Sequence, residues 1–382
     1  MYLNRKRLLI LNDIELIILL MGVILVKILN YYFFLNYIDW IIYLFFPIIF
    51  FFSWIVLKKC SSFYVSNSLK LLFILFIYSC LDTVYNTFDI VKTLKSCIIF
   101  FSYFLTALIF YNARLKIQLK QKIIYLLLVF MLFLSLHNHS ISSIRIDGLL
   151  GNPNLTAFFA VLFFPIIMYF FNSKIILQFI VSLILFFLIV KTGSRSSLLV
   201  FLFMIMIHII YQFKILKFSF RNNILIIIVI LILTIFSMDI AKFLINDTIL
   251  SNIVSGTRFS YTGDNHRFLI WIEAFNLFKD NILFGVGIGF KFHDISSIHN
   301  NLGFHSTYMY VLVSLGIIGF LLFLLFLLFL VKENSFYSII NHYKFLQLIA
   351  FITLSYSATI YFVGSFYFYL LAFQFIKEKK IC

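Results

Sequence analysis

The run Ser306–Val331, STYMYVLVSLGIIGFLLFLLFLLFLV, decides the fold class, because it contains no charged residue and exceeds the about 20 residues that a helix needs to cross a membrane. Comparable apolar runs recur along the chain, beginning at about Leu8–Leu29. Of the 382 residues 63% are hydrophobic and 12% are charged, whereas a soluble domain has about 25% charged residues. The sequence therefore predicts an all-α polytopic membrane protein.

The apolar runs predict about 12 transmembrane helices. Their approximate bounds are 8–29, 38–57, 69–81, 94–111, 123–136, 155–171, 175–190, 197–213, 223–237 and 306–331, with two more inside Phe345–Phe375 that separate near Gly364. The chain then divides into helices one to nine (residues 1–237), one large polar loop (residues 238–304), and helices ten to twelve with a tail (residues 305–382).

The distribution of Lys and Arg predicts the orientation of the helices. If the N-terminus is cytoplasmic and the helices alternate, most of the 30 basic residues fall in cytoplasmic connections, as the positive-inside rule requires. Both termini are then cytoplasmic, and the large loop lies outside, in the periplasm or at the cell surface. The net charge of +16 follows from this rule and does not indicate nucleic-acid binding.

Several cations do not follow the positive-inside rule, because they fall in connections predicted to lie outside. They are Arg145, Lys191, Arg195, Arg258 and Arg267. A bound anion such as a lipid phosphate or pyrophosphate would explain cations at the outer surface. Ordinary contact between interfacial arginines and lipid headgroups is the alternative explanation.

Two short motifs open predicted helices on the outer side. Gly151-Asn152-Pro153-Asn154 precedes helix six, where Pro153 ends any preceding helix and Asn154 is predicted to cap the next one. Thr192-Gly193-Ser194-Arg195-Ser196 separates helices seven and eight. Gly193 permits a tight turn, and Arg195 then lies at a helix N-terminus, where backbone N–H groups also favour an anion.

The large loop contains a predicted amphipathic helix and a glycine strip. The helix begins at Asp264 or Asn265 and ends at Asp280, with Arg267 in its first turn. Its wide apolar face predicts that it lies on the outer membrane surface. The strip Phe284–Phe290, FGVGIGF, is predicted to be extended, and it is no dinucleotide fingerprint because no strand precedes it.

His305 stands at the predicted boundary between this loop and helix ten. An imidazole suits a general base near neutral pH, although a single histidine in such a place is more often structural. Gly316 and Gly319 are predicted to allow close helix packing. Four histidines, His266, His293, His299 and His305, share this loop with Asp264 and Asp294, so a metal site stays open as an alternative. Their spacing matches no metal-ligand motif, and we therefore assign neither a metal nor another cofactor.

Taken together, these residues resemble the O-antigen ligase and polymerase family of bacterial envelope glycosyltransferases. The resemblance runs from about Gly151 to Gly319 and rests on the order and spacing of the motifs around one large loop. The motifs are Gly151-Asn152-Pro153-Asn154, Thr192-Gly193-Ser194-Arg195, Arg267 with Trp271, Gly285-Val286-Gly287, and His305 followed by Gly316-Ile317-Ile318-Gly319. Members commonly have Asn after the histidine, where this chain has Ser306.

The resemblance implies a membrane glycosyltransferase of the C-type superfamily that inverts the anomeric carbon without a metal. Its donor is a glycan on undecaprenyl pyrophosphate, presented at the outer, periplasmic face of the bacterial inner membrane. Its acceptor is lipid A core in the ligases or the growing glycan in the polymerases. By position, Arg195 and Arg267 would hold the pyrophosphate and His305 would activate the acceptor hydroxyl. Lys191, Arg145, Asn154 and Trp271 are further candidates for donor binding.

Two other classes of function stay open at this stage. A transporter or lipid flippase would place charges along a central path and often shows internal repeats, and this chain shows neither. A structural membrane scaffold gives no reason for arginines outside. The ligase assignment is slightly favoured over an O-antigen or capsular polysaccharide polymerase, since both share the loop and its residues.

Overall fold

The computed structural model describes residues 9–11, 65–85, 90–115, 152–172, 174–213, 220–235, 265–288, 304–334, 339–356 and 374–375. The helices within these ranges are α1 (Asn67–Tyr85), α2 (Ile90–Asn112), α3 (Pro153–Phe170), α4 (Ile175–Thr192), α5 (Arg195–Gln212), α6 (Phe220–Ile235), α7 (Asn265–Asp280), α8 (Thr307–Glu333) and α9 (Ile339–Leu354). Two three-residue strands, β1 (Leu9–Leu11) and β2 (Ala113–Leu115), pair in parallel. Apart from this pair, the regular structure of the described ranges is helical, as predicted.

Three of the described helices are long and apolar enough to cross a membrane, namely α4, α5 and α8. Shorter apolar segments lie in α2, α3, α6 and α9. Apolar side chains of α4 such as Ile176 and Phe179 are exposed, whereas Val181 and Leu185 are buried against the bundle. The helical architecture is therefore confirmed, while the number of about 12 helices and the placement of the large loop stay predictions.

Helices α3 and α9 run antiparallel through the centre of the bundle. Gln347 Nε2 donates to the Leu162 carbonyl oxygen at 3.3 Å, and the Tyr343 hydroxyl donates to Asn172 Oδ1 at 2.7 Å. The start of α9 therefore lies beside the end of α3. The last turn of α9 must then lie beside the first turn of α3.

Helices α5 and α8 extend this arrangement. His342 Nε2, near the start of α9, lies 3.3 Å from His208 Nδ1 in the last two turns of α5, so α5 begins at the opposite end of the bundle. At that opposite end the Thr307 N–H donates to the Ser355 carbonyl oxygen at 2.7 Å. We call this end, formed by the first turns of α3, α5 and α8 and the last turn of α9, the site end.

Helix α8 is interrupted at Gly316, where φ is 62° and ψ is −168°. The sequence predicted one continuous helix over Ser306–Val331, so this interruption is a correction to the prediction. A break of this kind leaves helical N–H and C=O groups without their usual partners, which is costly within a membrane. The partners come from residues 282–287, which follow α7. The extended conformation predicted for the glycine strip is wrong in this described part, because the Gly285 N–H closes a turn onto the Asn281 oxygen at 2.9 Å and Gly285 and Gly287 have positive φ angles.

The strip 282–287 pairs with α8 through its backbone, on both sides of Gly316. The pairs are Val286 N–H with the Val313 oxygen (2.9 Å), Gly287 N–H with the Ser314 oxygen (2.9 Å), Ile317 N–H with the Ile282 oxygen (2.8 Å) and Ile318 N–H with the Leu283 oxygen (3.5 Å). These bonds replace two steps of the helical ladder, from residue 313 to 317 and from 314 to 318. The strip therefore supplies backbone hydrogen-bond partners that the interruption removes from α8.

Glycines make this close approach possible. A Cβ atom on Gly285 would lie 2.5 Å from the Gly316 nitrogen, and a Cβ atom on Gly316 would collide with the Leu283 carbonyl group. Gly285 and Gly316 also have positive φ angles of 80° and 62°, which L side chains rarely adopt. The predicted role of Gly316 in close packing is confirmed, although its partner is the strip.

The last apolar stretch differs from its prediction. Helix α9 begins at Ile339 and ends at Leu354, whereas the sequence predicted a start at Phe345 and a break near Gly364. Lys344, predicted to lie in a cytoplasmic connection, is instead a buried residue of α9. Counting apolar residues failed here because polar residues of the first turns are buried in the bundle, as His342 is beside the rings of His208 and Tyr211 of α5.

Candidate functional site

Arg195 lies at the N-terminus of α5, at the site end. Helix α4 ends at Thr192, and Gly193 follows with a φ of 66°, so the tight turn predicted here is confirmed. Ser194 is the N-cap of α5, and its hydroxyl lies 2.9 Å from that of Ser197. The Arg195 side chain is half-buried, so its guanidinium group and the first backbone N–H groups of α5 form a positively polarised surface.

The first turn of α3 shows a different cap from the one predicted. Asn152 is the N-cap, and its side chain accepts hydrogen bonds from the Asn154 N–H at 2.9 Å and the Leu155 N–H at 3.4 Å. Pro153 is the first helical residue, where its missing N–H costs nothing. The prediction that Asn154 caps this helix is therefore wrong, because Asn154 already lies within the first turn.

His305 adopts a backbone conformation that is rare for its residue type. Its φ is 51°, and within the described ranges it is the one residue other than glycine with a positive φ. Holding a histidine in this conformation costs on the order of 1–3 kcal/mol, and such strain is concentrated at functional sites. The next residue, Ser306, caps α8 by accepting from the Met309 N–H at 3.4 Å. Serine and asparagine are similarly good caps, so Ser306 caps this helix as well as an asparagine would.

Trp271 joins α7 to the His305 turn. Its indole Nε1–H donates to the carbonyl oxygen of Phe304 at 2.9 Å. Its ring also packs edge-on against Tyr356, just after α9, with ring centroids 5.3 Å apart. Arg267 precedes Trp271 by four residues, about one helical turn, so both lie on the same face of α7.

The structure gathers most of the predicted site residues that it describes. Lys191, Arg195, Asn154, Trp271 and His305 all lie at the site end, and α7 carries the backbone of Arg267 there. Lys191 is exposed in the last turn of α4. Other predicted residues, namely Arg145, Gly151, Arg258, His293, His299 and the side chains of His266 and Arg267, lie outside the described residues.

The site end favours an anion and also carries a potential base. Three helix N-termini, those of α3, α5 and α8, point their partial positive charges to this end. Arg195 and Lys191 add full positive charges, and His305 contributes an imidazole at the same end of the bundle. This combination can bind phosphate oxygens and accept a proton from a neighbouring hydroxyl group.

Sequence reasoning did not find the residues that position His305. Phe304 presents the carbonyl group that Trp271 binds, and Tyr356 packs against the indole ring. Neither residue carries a local signal, since the chain contains 53 phenylalanines and 22 tyrosines. Only the arrangement in space distinguishes them.

Replacing Trp271 with phenylalanine tests the link between α7 and the His305 turn. The variant keeps most of the ring contact and removes the Nε1–H bond to Phe304, which is worth about 1 kcal/mol. We expect the melting temperature to change little. We expect activity to fall on the order of tenfold, because small displacements of a reacting group are costly. An exposed phenylalanine of the same helix, Phe275, offers a control as Phe275→Leu. An unchanged rate for Trp271→Phe would contradict this role.

Comparison with known proteins finds one matching family model, and its match includes most of this site. Residues 180–324 match the model of the Wzy_C family, described as O-antigen ligase. The match contains the Arg195 turn, α7, the glycine strip, His305 and the break in α8, and it confirms the resemblance to the O-antigen ligase and polymerase family. It supports a membrane protein with a ligase or polymerase type of function in envelope glycan biosynthesis. No curated protein matches the chain significantly.

Proposed function

We propose, on the premise that residues 180–324 form a domain of O-antigen ligase type, that the protein is a membrane glycosyltransferase. It transfers a glycan from undecaprenyl pyrophosphate to an acceptor sugar hydroxyl, joining O-antigen to lipid A core. The observation that carries the proposal is the meeting of Arg195, the strained His305 turn and the Trp271 helix at one end of the bundle. That end would face the periplasm.

Each of these residues has a separate role in the proposed reaction. The acceptor oxygen attacks the anomeric carbon of the donor sugar, and the bond from that carbon to the pyrophosphate breaks. The acceptor proton passes to the imidazole of His305. Arg195 and Arg267 stabilise the negative charge that develops on the departing pyrophosphate. Attack from the side opposite the pyrophosphate inverts the anomeric carbon.

The proposal needs neither a metal ion nor a cofactor, because guanidinium groups neutralise the leaving group. Lys191, Arg145 and Asn154 would contact the donor around the pyrophosphate, and Trp271 would hold the His305 turn beside it. The lipid portion of the donor would stay among membrane lipids. Both chain termini would be cytoplasmic, as the distribution of basic residues predicts.

Substitution of the two arginines tests the proposal. Envelope glycans are analysed in a deletion strain complemented with wild type, Arg195→Ala or Arg267→Ala at matched protein levels. Each variant should lower transfer by about 10²–10³-fold, because each removes one group that stabilises developing charge. Arg221→Ala is the matched control. Arg221 is exposed near the start of α6, which follows shortly after the end of α5 that is remote from the site end. We expect the control to complement fully.

The species that accumulates distinguishes the related activities. Full-length polymer left on the lipid carrier would support the ligase. Accumulation of single repeat units would overturn the ligase assignment and identify a polymerase with the same chemistry. If both arginine variants complement as well as Arg221→Ala, the proposed site is wrong and transport becomes the leading hypothesis.

A further inference from the structure

Tyr78 of α1 lies where the helical ladder of α8 is interrupted. Its hydroxyl donates to the Leu315 carbonyl oxygen at 2.9 Å. In an uninterrupted helix Leu315 and Gly319 would bond to each other directly. The Tyr78 hydroxyl thus supplies a hydrogen bond to the Leu315 carbonyl oxygen, which the strip 282–287 does not contact through its backbone N–H groups.

Gly319 makes room for this insertion. A Cβ atom at Gly319 would lie 2.9 Å from Cε1 of the Tyr78 ring, so any larger residue would push the ring away. The hydroxyl also lies 3.4 Å from the Leu283 carbonyl oxygen, which belongs to the strip. The Tyr78 side chain therefore lies against both segments of the broken helix and against the strip that pairs with them.

The register of α1 along α8 is fixed at its other end. The Ser68 N–H donates to Glu333 Oε1 at 3.0 Å, and the Ser68 hydroxyl donates to Glu333 Oε2 at 2.5 Å. A carboxylate at a helix N-terminus is favourable because it compensates the partial positive charge there. With this attachment in place, Tyr78 reaches the break without any adjustment of α1.

We propose that Tyr78 is a positioning residue for the transfer reaction, acting through the strip 282–287 on α7 and its site residues. The strip follows α7 directly, so a shift of the strip moves Arg267 and Trp271 relative to His305. Nothing in the sequence indicates this role, since Tyr78 is one tyrosine in an apolar helix. The inference rests on the proposed function for its kinetic part and on backbone geometry for the rest.

The test compares Tyr78→Phe with Tyr343→Phe in purified, full-length protein. Both variants lose only a hydroxyl group, and Tyr343 lies at the end of the bundle opposite the site, where it donates to Asn172. We expect Tyr78→Phe to accelerate amide hydrogen exchange in peptides covering 281–288 and 313–319. We expect its kcat to fall roughly tenfold while the acceptor KM changes less than about twofold, because misplaced groups act on the transition state.

The outcomes separate this inference from the proposed function. Unchanged exchange in both peptides, or an equal loss of kcat in Tyr343→Phe, would overturn the role of Tyr78. Faster exchange with an unchanged kcat would also overturn it, since the strip would then move without consequence for transfer. If Tyr78→Phe exchanges faster but the wild-type protein transfers no glycan, the contact of Tyr78 with α8 and the strip stands. The proposed function is then refuted instead.

Discussion

His305→Asn is expected to abolish most glycan transfer while leaving the protein folded. Removal of a general base typically costs about 10²–10⁴ in rate. Asparagine is the informative replacement because it tolerates the positive φ of 51° that this position requires. A loss of activity in this variant therefore reports on the imidazole and not on a distorted turn. The measurement is the initial rate of transfer with purified wild type and variant in lipid nanodiscs.

Two further substitutions at this position separate strain from chemistry. His305→Gly also accepts the positive φ, so we expect it to fold and to be as inactive as the asparagine variant. His305→Ala places a side chain without local hydrogen bonds in the same conformation, and we expect a lower melting temperature in addition to inactivity. If His305→Asn retains near wild-type rates, another group takes the acceptor proton and the assignment of His305 fails.

The parts of the fold that follow from local physics could be predicted from the sequence. The apolar runs predicted the helices, and the described bounds of α3, α5 and α8 agree with them to within a few residues. Polar residues within the run between Asn265 and Asp280 recur at helical spacing, and this amphipathic pattern predicted the start and end of α7. Gly193 predicted the turn before Arg195, since a helix that ends so abruptly favours a left-handed residue.

What could not be predicted depends on contacts between distant segments. The sequence shows Gly316 inside an apolar run, and glycine is frequent in membrane helices, so nothing indicated an interrupted helix. The break is stable only because residues 282–287 and the Tyr78 hydroxyl supply the missing hydrogen bonds. Lys344 was misplaced for a similar reason: a charged residue normally ends a membrane span, but here it is buried within the bundle.

The site was predicted in its residues but not in its construction. Arg195, Arg267, Trp271 and His305 came from motif order, which requires no knowledge of packing. The hydrogen bond from Trp271 to Phe304 and the strained backbone of His305 came only from the structure. These two features show how a helix from the large loop and the first turn of α8 are held together.

Gly316→Ala is expected to have the largest effect on stability of any single methyl addition described for this chain. The added Cβ would collide with the backbone of Leu283 and Phe284, which cannot move aside as a flexible side chain can. The positive φ adds a cost of about 1–3 kcal/mol, and overpacking adds about 1–3 kcal/mol more. We therefore expect the free energy of unfolding to fall by about 2–6 kcal/mol.

The alternative to this loss of stability is a change of structure, and the experiment distinguishes the two. An alanine at 316 favours the continuous helix, which would pair residue 313 with 317 and 314 with 318 and release the strip. A protein that takes this path would keep its melting temperature but show faster hydrogen exchange in peptides covering 281–288. Thermal unfolding in detergent, followed by size-exclusion chromatography, measures the stability. The control is Leu325→Ala, which replaces an exposed residue of the same helix. If Gly316→Ala matches this control in both melting temperature and hydrogen exchange, the close approach of Gly285 and Gly316 is contradicted. Neither a collision with the strip nor a release of the strip would then have occurred.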